Sequence, residues 1–83
     1  MSYNYENEKK NINPEMYDRV KKTIFNTDKV ILTFYDFGED LVAFGSWELL
    51  AIIDKLEEEG YVELIKQKGS RQDWEYEIIK RED

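Results

Sequence analysis

The side chains that could do chemistry in this chain are nearly all carboxylates. Glu57, Glu58 and Glu59 form one run, Asp36, Glu39 and Asp40 lie close together, and Glu48 and Asp54 fall between these groups. Paired acids do general acid–base work only where a cleft pushes their pKa values apart. A run near the end of a surface helix has no such cleft and stays solvated. Asp36, Glu39 and Asp40 supply the oxygens that hard cations prefer, but the EF-hand ligand spacing is absent. The chain has no histidine and no cysteine. That removes the imidazole base, the Ser-His-Asp triad, the thiolate nucleophile and the usual zinc ligand sets. Asp36-Phe37-Gly38 spells the kinase magnesium triplet, yet the glycine-rich and catalytic loops that give the triplet its role are missing. No phosphate-cradling glycine pattern occurs. The sequence therefore predicts a protein that is not an enzyme, with no metal and no cofactor.

What carboxylates without a cleft can do is bind. The chain carries 19 acids and 12 bases, a net charge of −7. From Asp36 to Glu63 there are nine acids against one base, a net of −8, and the remainder is close to neutral. Such a field repels nucleic acid backbones and favours basic partner surfaces; a merely soluble acidic surface is the plainer alternative. The expected partner-binding residues are Asp36, Glu39, Asp40, Asp54, Glu57, Glu58 and Glu59, together with Trp47 and Leu50 as apolar anchors.

The element that positions most of them is Ser46 to Gly60. Ser46 suits an N-cap and Gly60 a left-handed C-terminal stop. Between them Leu49, Ile52, Ile53 and Leu56 recur at helical spacing and form one apolar stripe. Trp47 and Leu50 fall off that stripe, on the side that carries Asp54, Glu57 and Glu58. Either another helix of the chain covers them or they face a partner.

An earlier helix starts at Asn13-Pro14-Glu15, with Asn as cap and Pro at the first helical position. It ends near Asn26, with Met16, Tyr17, Val20 and Ile24 on one face. Val30 to Phe37 is dense in β-branched and aromatic residues and reads as a strand, turning at Gly38-Glu39-Asp40 into a return strand at Leu41 to Phe44. After the central helix, Tyr61 to Lys66 and Trp74 to Ile78 alternate as a second hairpin around the loop Lys68 to Asp73. The predicted order is α-β-β-α-β-β, an α+β domain whose antiparallel sheet carries helices on one face.

Eighty-three residues make one small domain with a modest core. Residues 13–80 are expected to hold it, with a flexible tail at 1–12 and a charged tail at 81–83. No apolar run is long enough to cross a membrane, and the N-terminal residues lack the apolar region of a secretory signal. A cytoplasmic location is the expectation.

Ala51 to Ile79, AIIDKLEEEGYVELIKQKGSRQDWEYEII, resembles the recognition helix and wing of winged-helix regulators. The resemblance implies that Lys66, Lys68 and Arg71 form a basic wing against a phosphate backbone. The helix itself presents Glu48, Asp54, Glu57, Glu58 and Glu59, where a helix entering the major groove needs Arg, Lys, Asn or Gln. In overall character the chain resembles small acidic phage and mobile-element proteins that block host machinery, some by imitating nucleic acid charge. The leading expectation is thus a protein-binding module, an inhibitor of a basic, nucleic-acid-binding partner. The alternative is a winged-helix DNA-binding transcriptional regulator. A third reading is a homodimer joined through an edge strand at Trp74 to Ile79.

Overall fold

Capping chemistry decides where the first helix begins. Asn13 Oδ1 accepts hydrogen bonds from the backbone N–H groups of Glu15 at 2.9 Å and Met16 at 3.3 Å, and Pro14 follows at the first helical position. Helix α1 then spans Pro14–Asn26 and buries Met16, Val20 and Ile24. The computed structural model describes residues 12–38 and 46–82. Glu39, Asp40 and the expected return strand Leu41 to Phe44 lie outside the described residues, as does the expected tail up to residue 11. Ile12 packs against the core.

The stretch from Val30 to Phe37 is not one strand. Strand β1 covers Ile31–Leu32 only, and helix α2 follows at Phe34–Gly38. The reason is local. Thr33 and Asp36 form a capping pair, in which the Asp36 carboxylate accepts from the Thr33 N–H at 3.0 Å and from its hydroxyl at 3.2 Å. The Thr33 carbonyl accepts from Asp36 N–H at 3.0 Å. Phe34 and Phe37, three apart, are both buried, while Tyr35 is exposed. That is helical spacing; alternation would have put Phe34 and Phe37 on opposite faces. High strand propensity lost to the Thr33–Asp36 hydrogen bonds and two aromatic anchors.

Helix α3 spans Ser46–Glu58. Leu49, Ile52, Ile53 and Leu56 are fully buried, each worth roughly 2–5 kcal/mol against alanine. The helix ends in a left-handed glycine. Gly60 has φ +86°, its N–H donates to Glu57 C=O at 3.1 Å, and Tyr61 N–H donates to Leu56 C=O at 3.0 Å. This is the Schellman arrangement, and both Tyr61 and Leu56 are buried in the core.

Strands β2, Val62–Lys66, and β3, Glu75–Ile78, form the expected second hairpin, joined through a short 3₁₀ turn at Arg71–Asp73. The sheet is antiparallel with order β1-β3-β2. Strand β3 is therefore central and paired on both sides, so Trp74 to Ile79 is not an edge available for dimerisation. Leu32, Tyr76, Leu64, Val62 and Ile78 face the helices, and Phe37 of α2 meets Tyr76 edge-on at 5.7 Å. Among the described residues the order is α-β-α-α-β-β. It is an α+β domain with helices on one face of the sheet, as expected, but with a helix at Phe34–Gly38 inside the stretch expected as the first strand.

The C-terminal tail is tied down by Arg81. Its guanidinium donates to the carbonyls of Ile24, Thr27 and Lys29. A cation thus sits on the free carbonyls at the end of α1, where the helix dipole favours it.

Candidate functional site

Helix α3 and the β2–β3 connection make the surface on which four of the predicted residues meet. The groove between them is lined by Trp47, Leu50, Asp54 and Arg71 and encloses about 190 Å³. Trp47 and Leu50 share this groove but not their exposure. Leu50 is buried in the core, whereas Trp47 is 53% exposed. Leu50 is thus packing, and Trp47 is the aromatic that lines the outside.

Asp54 and Arg71 meet across the groove. Arg71 Nη2 donates to Asp54 Oδ1 at 2.8 Å, with both side chains about three-quarters buried. The guanidinium carbon lies 4.4 Å above the Trp74 ring and 5.6 Å from that of Tyr76. Stacking on an aromatic face favours a flat, weakly hydrated cation. It also accommodates the buried Arg71 Nη1, which has no hydrogen-bond partner among the described residues. The turn that aims Arg71 is held by Asp73, whose carboxylate accepts from the Ser70 N–H at 3.2 Å and hydroxyl at 3.0 Å. Gly69 permits it with φ +65°; a Cβ there would stand 2.7 Å from Asp73 Oδ2. Tyr76 below is pushed up to about 12 by burial, against which the Arg71 charge pulls it back.

The structure therefore brings together one residue from each competing reading. Asp54 was expected to meet a partner and Arg71 to meet a phosphate; each meets the other. Of the other residues expected on a basic wing, Lys66 and Lys68 are exposed, and Lys66 stands opposite Glu75 in the strand register.

The remaining acids divide. Glu58 and Glu59 are exposed and Glu57 and Glu48 half-buried. Glu59 accepts a hydrogen bond from the Tyr17 hydroxyl, which ties α1 to the end of α3. Burial, then that hydrogen bond and the Glu59 charge, push the Tyr17 phenol well above its ordinary range, although Lys21 works against them. Lys21 Nζ lies 4.6 Å from the Tyr61 ring centroid and 5.5 Å from that of Tyr17, and Lys80 Nζ is 4.2 Å from Tyr61. Asp36 is not at this surface. It pairs with Lys29 at 2.7 Å while capping α2. Burial alone would raise its carboxyl, but Lys29 and the Thr33 N–H outweigh it and hold the group below the usual carboxylate range.

Sequence reasoning missed the Thr33–Asp36 and Ser70–Asp73 capping pairs, although both match the [ST]-x-x-[DE] signature that could have shown them. It also missed Tyr17 as the partner of Glu59; no local pattern links residues on separate helices. Among the described residues, no helix is long and apolar enough to cross a membrane. No family model matches the chain, and no curated protein or solved structure matches it significantly.

Proposed function

We propose that the chain is a non-enzymatic protein-binding module that presents the acidic end of α3 and Trp47 to the basic, nucleic-acid-binding surface of a protein partner, and inhibits that partner by occupying it. The observation that carries this reading is the Asp54–Arg71 contact. The only arginine in the wing is committed to a carboxylate of the helix beside it. That helix offers four acids and one base, with Glu59 just past its end, and Glu58 and Glu59 are open to solvent. A half-exposed tryptophan at the other end of the same helix is the kind of residue that carries interface energy.

A second reading rests on topology. Among the described residues the order α-β-α-α-β-β with sheet order β1-β3-β2 resembles the winged-helix arrangement, in which α3 would be the recognition helix and Lys66 and Lys68 would lie on the wing. The resemblance favours a regulator that touches duplex DNA through those lysines, and the acids on α3 weigh against it. Both readings fit a winged-helix frame; they differ in what its surface meets.

The test compares wild type with Glu57→Lys/Glu58→Lys as baits for affinity capture, followed by competition with duplex DNA. A partner held by wild type, lost from the variant and released by DNA is the expected result. Equal retention by both baits would remove the acidic reading. Anisotropy titration with mixed-sequence duplex decides the second reading. Binding whose affinity falls log-linearly with salt would favour the wing lysines.

A further inference from the structure

Two local hydrogen-bond clamps that the α3 surface does not use flank one groove. The Thr33–Asp36 pair fixes the turn from β1 into α2, and the Ser70–Asp73 pair fixes the turn between β2 and β3. Leu32 stands opposite Tyr76 in the register, which brings Thr33 next to Glu75. The groove between the two turns has a volume of about 470 Å³, and Thr33, Tyr35, Lys68, Gln72, Asp73 and Glu75 are among the residues that line it. Small-molecule sites are of this size, roughly 300–1,000 Å³.

The polar groups that converge here are uncommitted. Gln72 and Glu75 are half-buried, Lys68 is exposed, and Tyr35 is 53% exposed. Among the described residues, the side chains of Tyr35, Lys68, Gln72 and Glu75 make no hydrogen bond or ion pair. Polar side chains that leave water normally find a partner within the fold; these line a shared space instead. The buried Phe34 meets the Tyr35 ring edge-on at 5.4 Å and steadies it.

Charge then fixes the class of ligand. Lys68, Asp73 and Glu75 line the groove, and Lys66 lies opposite Glu75 on β2, so the two signs are balanced without an ion pair between them. Behind Thr33, Asp36 is already paired with Lys29. A polyanion would meet a single lining ammonium in a chain that carries −7. A metal ion would find no cluster of acids able to hold it among the described residues. An apolar ligand would cover polar side chains without bonding them. What matches separated charges of both signs is a small molecule that carries both. We infer that the groove binds a small zwitterion of the amino-acid type. Its carboxylate meets Lys68 and Gln72, its ammonium meets Glu75, and its side chain lies against the Tyr35 ring. None of these residues belongs to α3, so the site does not depend on the role proposed for that helix.

The test titrates L-phenylalanine into isotope-labelled protein and follows amide chemical shifts. Phenylpropanoate, which lacks the ammonium, and phenethylamine, which lacks the carboxylate, are the controls. L-Phenylalanine is expected to shift Thr33, Tyr35, Lys68, Gln72 and Glu75 saturably, and each control to bind at least about tenfold more weakly. Lys68→Gln and Glu75→Gln are each expected to weaken L-phenylalanine by a similar factor while the melting temperature stays unchanged, a result that simple unfolding cannot give. Glu57→Lys/Glu58→Lys is expected to leave the affinity within about twofold. No saturable shift of these residues up to about 20 mM L-phenylalanine would overturn the inference. So would a control that binds as tightly, or binding that survives both Lys68→Gln and Glu75→Gln. Adenosine monophosphate that binds more tightly than L-phenylalanine and is lost in Lys68→Gln would also overturn it, in favour of an anion site.

Discussion

Tyr17 and Tyr76 show how single side chains carry the coupling between layers. Tyr17 bridges α1 to Glu59 at the end of α3, and Tyr76 lies buried on the central strand beneath Arg71 and against Phe37. Both phenols hold their protons above the ordinary range, Tyr76 to about 12, with burial as the main cause. The unfolded chain releases phenolic protons near pH ~10. Above that pH the unfolded state binds fewer protons than the folded one, so stability falls as pH rises. The contribution is whole below about pH 10 and is lost above it. Urea unfolding at a series of pH values should show a plateau and then a decline beginning near pH ~10. Tyr17→Phe should flatten that decline, at the expense of the Glu59 link at lower pH. Stability that held or rose through this range would show that neither phenol is protected as the geometry implies.

At the scale of elements, α2 is the instructive case. Five residues are too few to form a helix by propensity, so its ends and anchors must hold it. Asp36 accepts from Thr33 and pairs with Lys29, while Phe34 and Phe37 plug into the core. Asp36→Ala removes all of these polar contacts at once and should cost about 1–2 kcal/mol. Lys29→Ala removes only the more exposed ion pair and should cost roughly 0–1 kcal/mol. Because the Asp36 carboxyl is held low, its contribution is present above the ordinary carboxylate range and fades as pH falls through it. Urea midpoints for the two variants decide the matter; equal losses would reduce Asp36 to an ordinary surface ion. The same element shows what a sequence conceals. The caps and stripe of α1, the Gly60 stop and the second hairpin were all legible, because each is written in local spacing. Val30 to Phe37 was misjudged because β-branched and aromatic residues favour a strand on average, whereas the Thr33–Asp36 pair acts through specific hydrogen bonds. At the candidate site, the acids of α3 were legible from their run. The Asp54–Arg71 contact was not, since it joins residues 17 apart through a turn that Gly69 and Asp73 shape.

For the molecule as a whole, the balance between repulsion and pairing sets how it answers to salt. The chain carries −7 overall and −8 between Asp36 and Glu63, with Glu57, Glu58 and Glu59 adjacent at the α3 end where the helix dipole also disfavours them. Glu63 stands opposite Glu77. Against these, the Asp54–Arg71 pair is largely buried. Screening acts strongly on exposed charges and weakly on buried pairs, over a length of about 8 Å at physiological ionic strength. Added salt should therefore remove more repulsion than attraction. The melting temperature should rise by roughly 2–6 °C between about 10 mM and about 0.5 M NaCl. Glu57→Gln/Glu58→Gln should start higher and rise less. Binding to a cationic partner should respond in the opposite sense, weakening over the same range as the attraction across the interface is screened. The two trends together separate a surface kept acidic for a partner from one balanced by its own lysines and arginines. A melting temperature that fell with salt would mean that internal pairing dominates, and the excess negative charge would then have no cost for a partner to relieve.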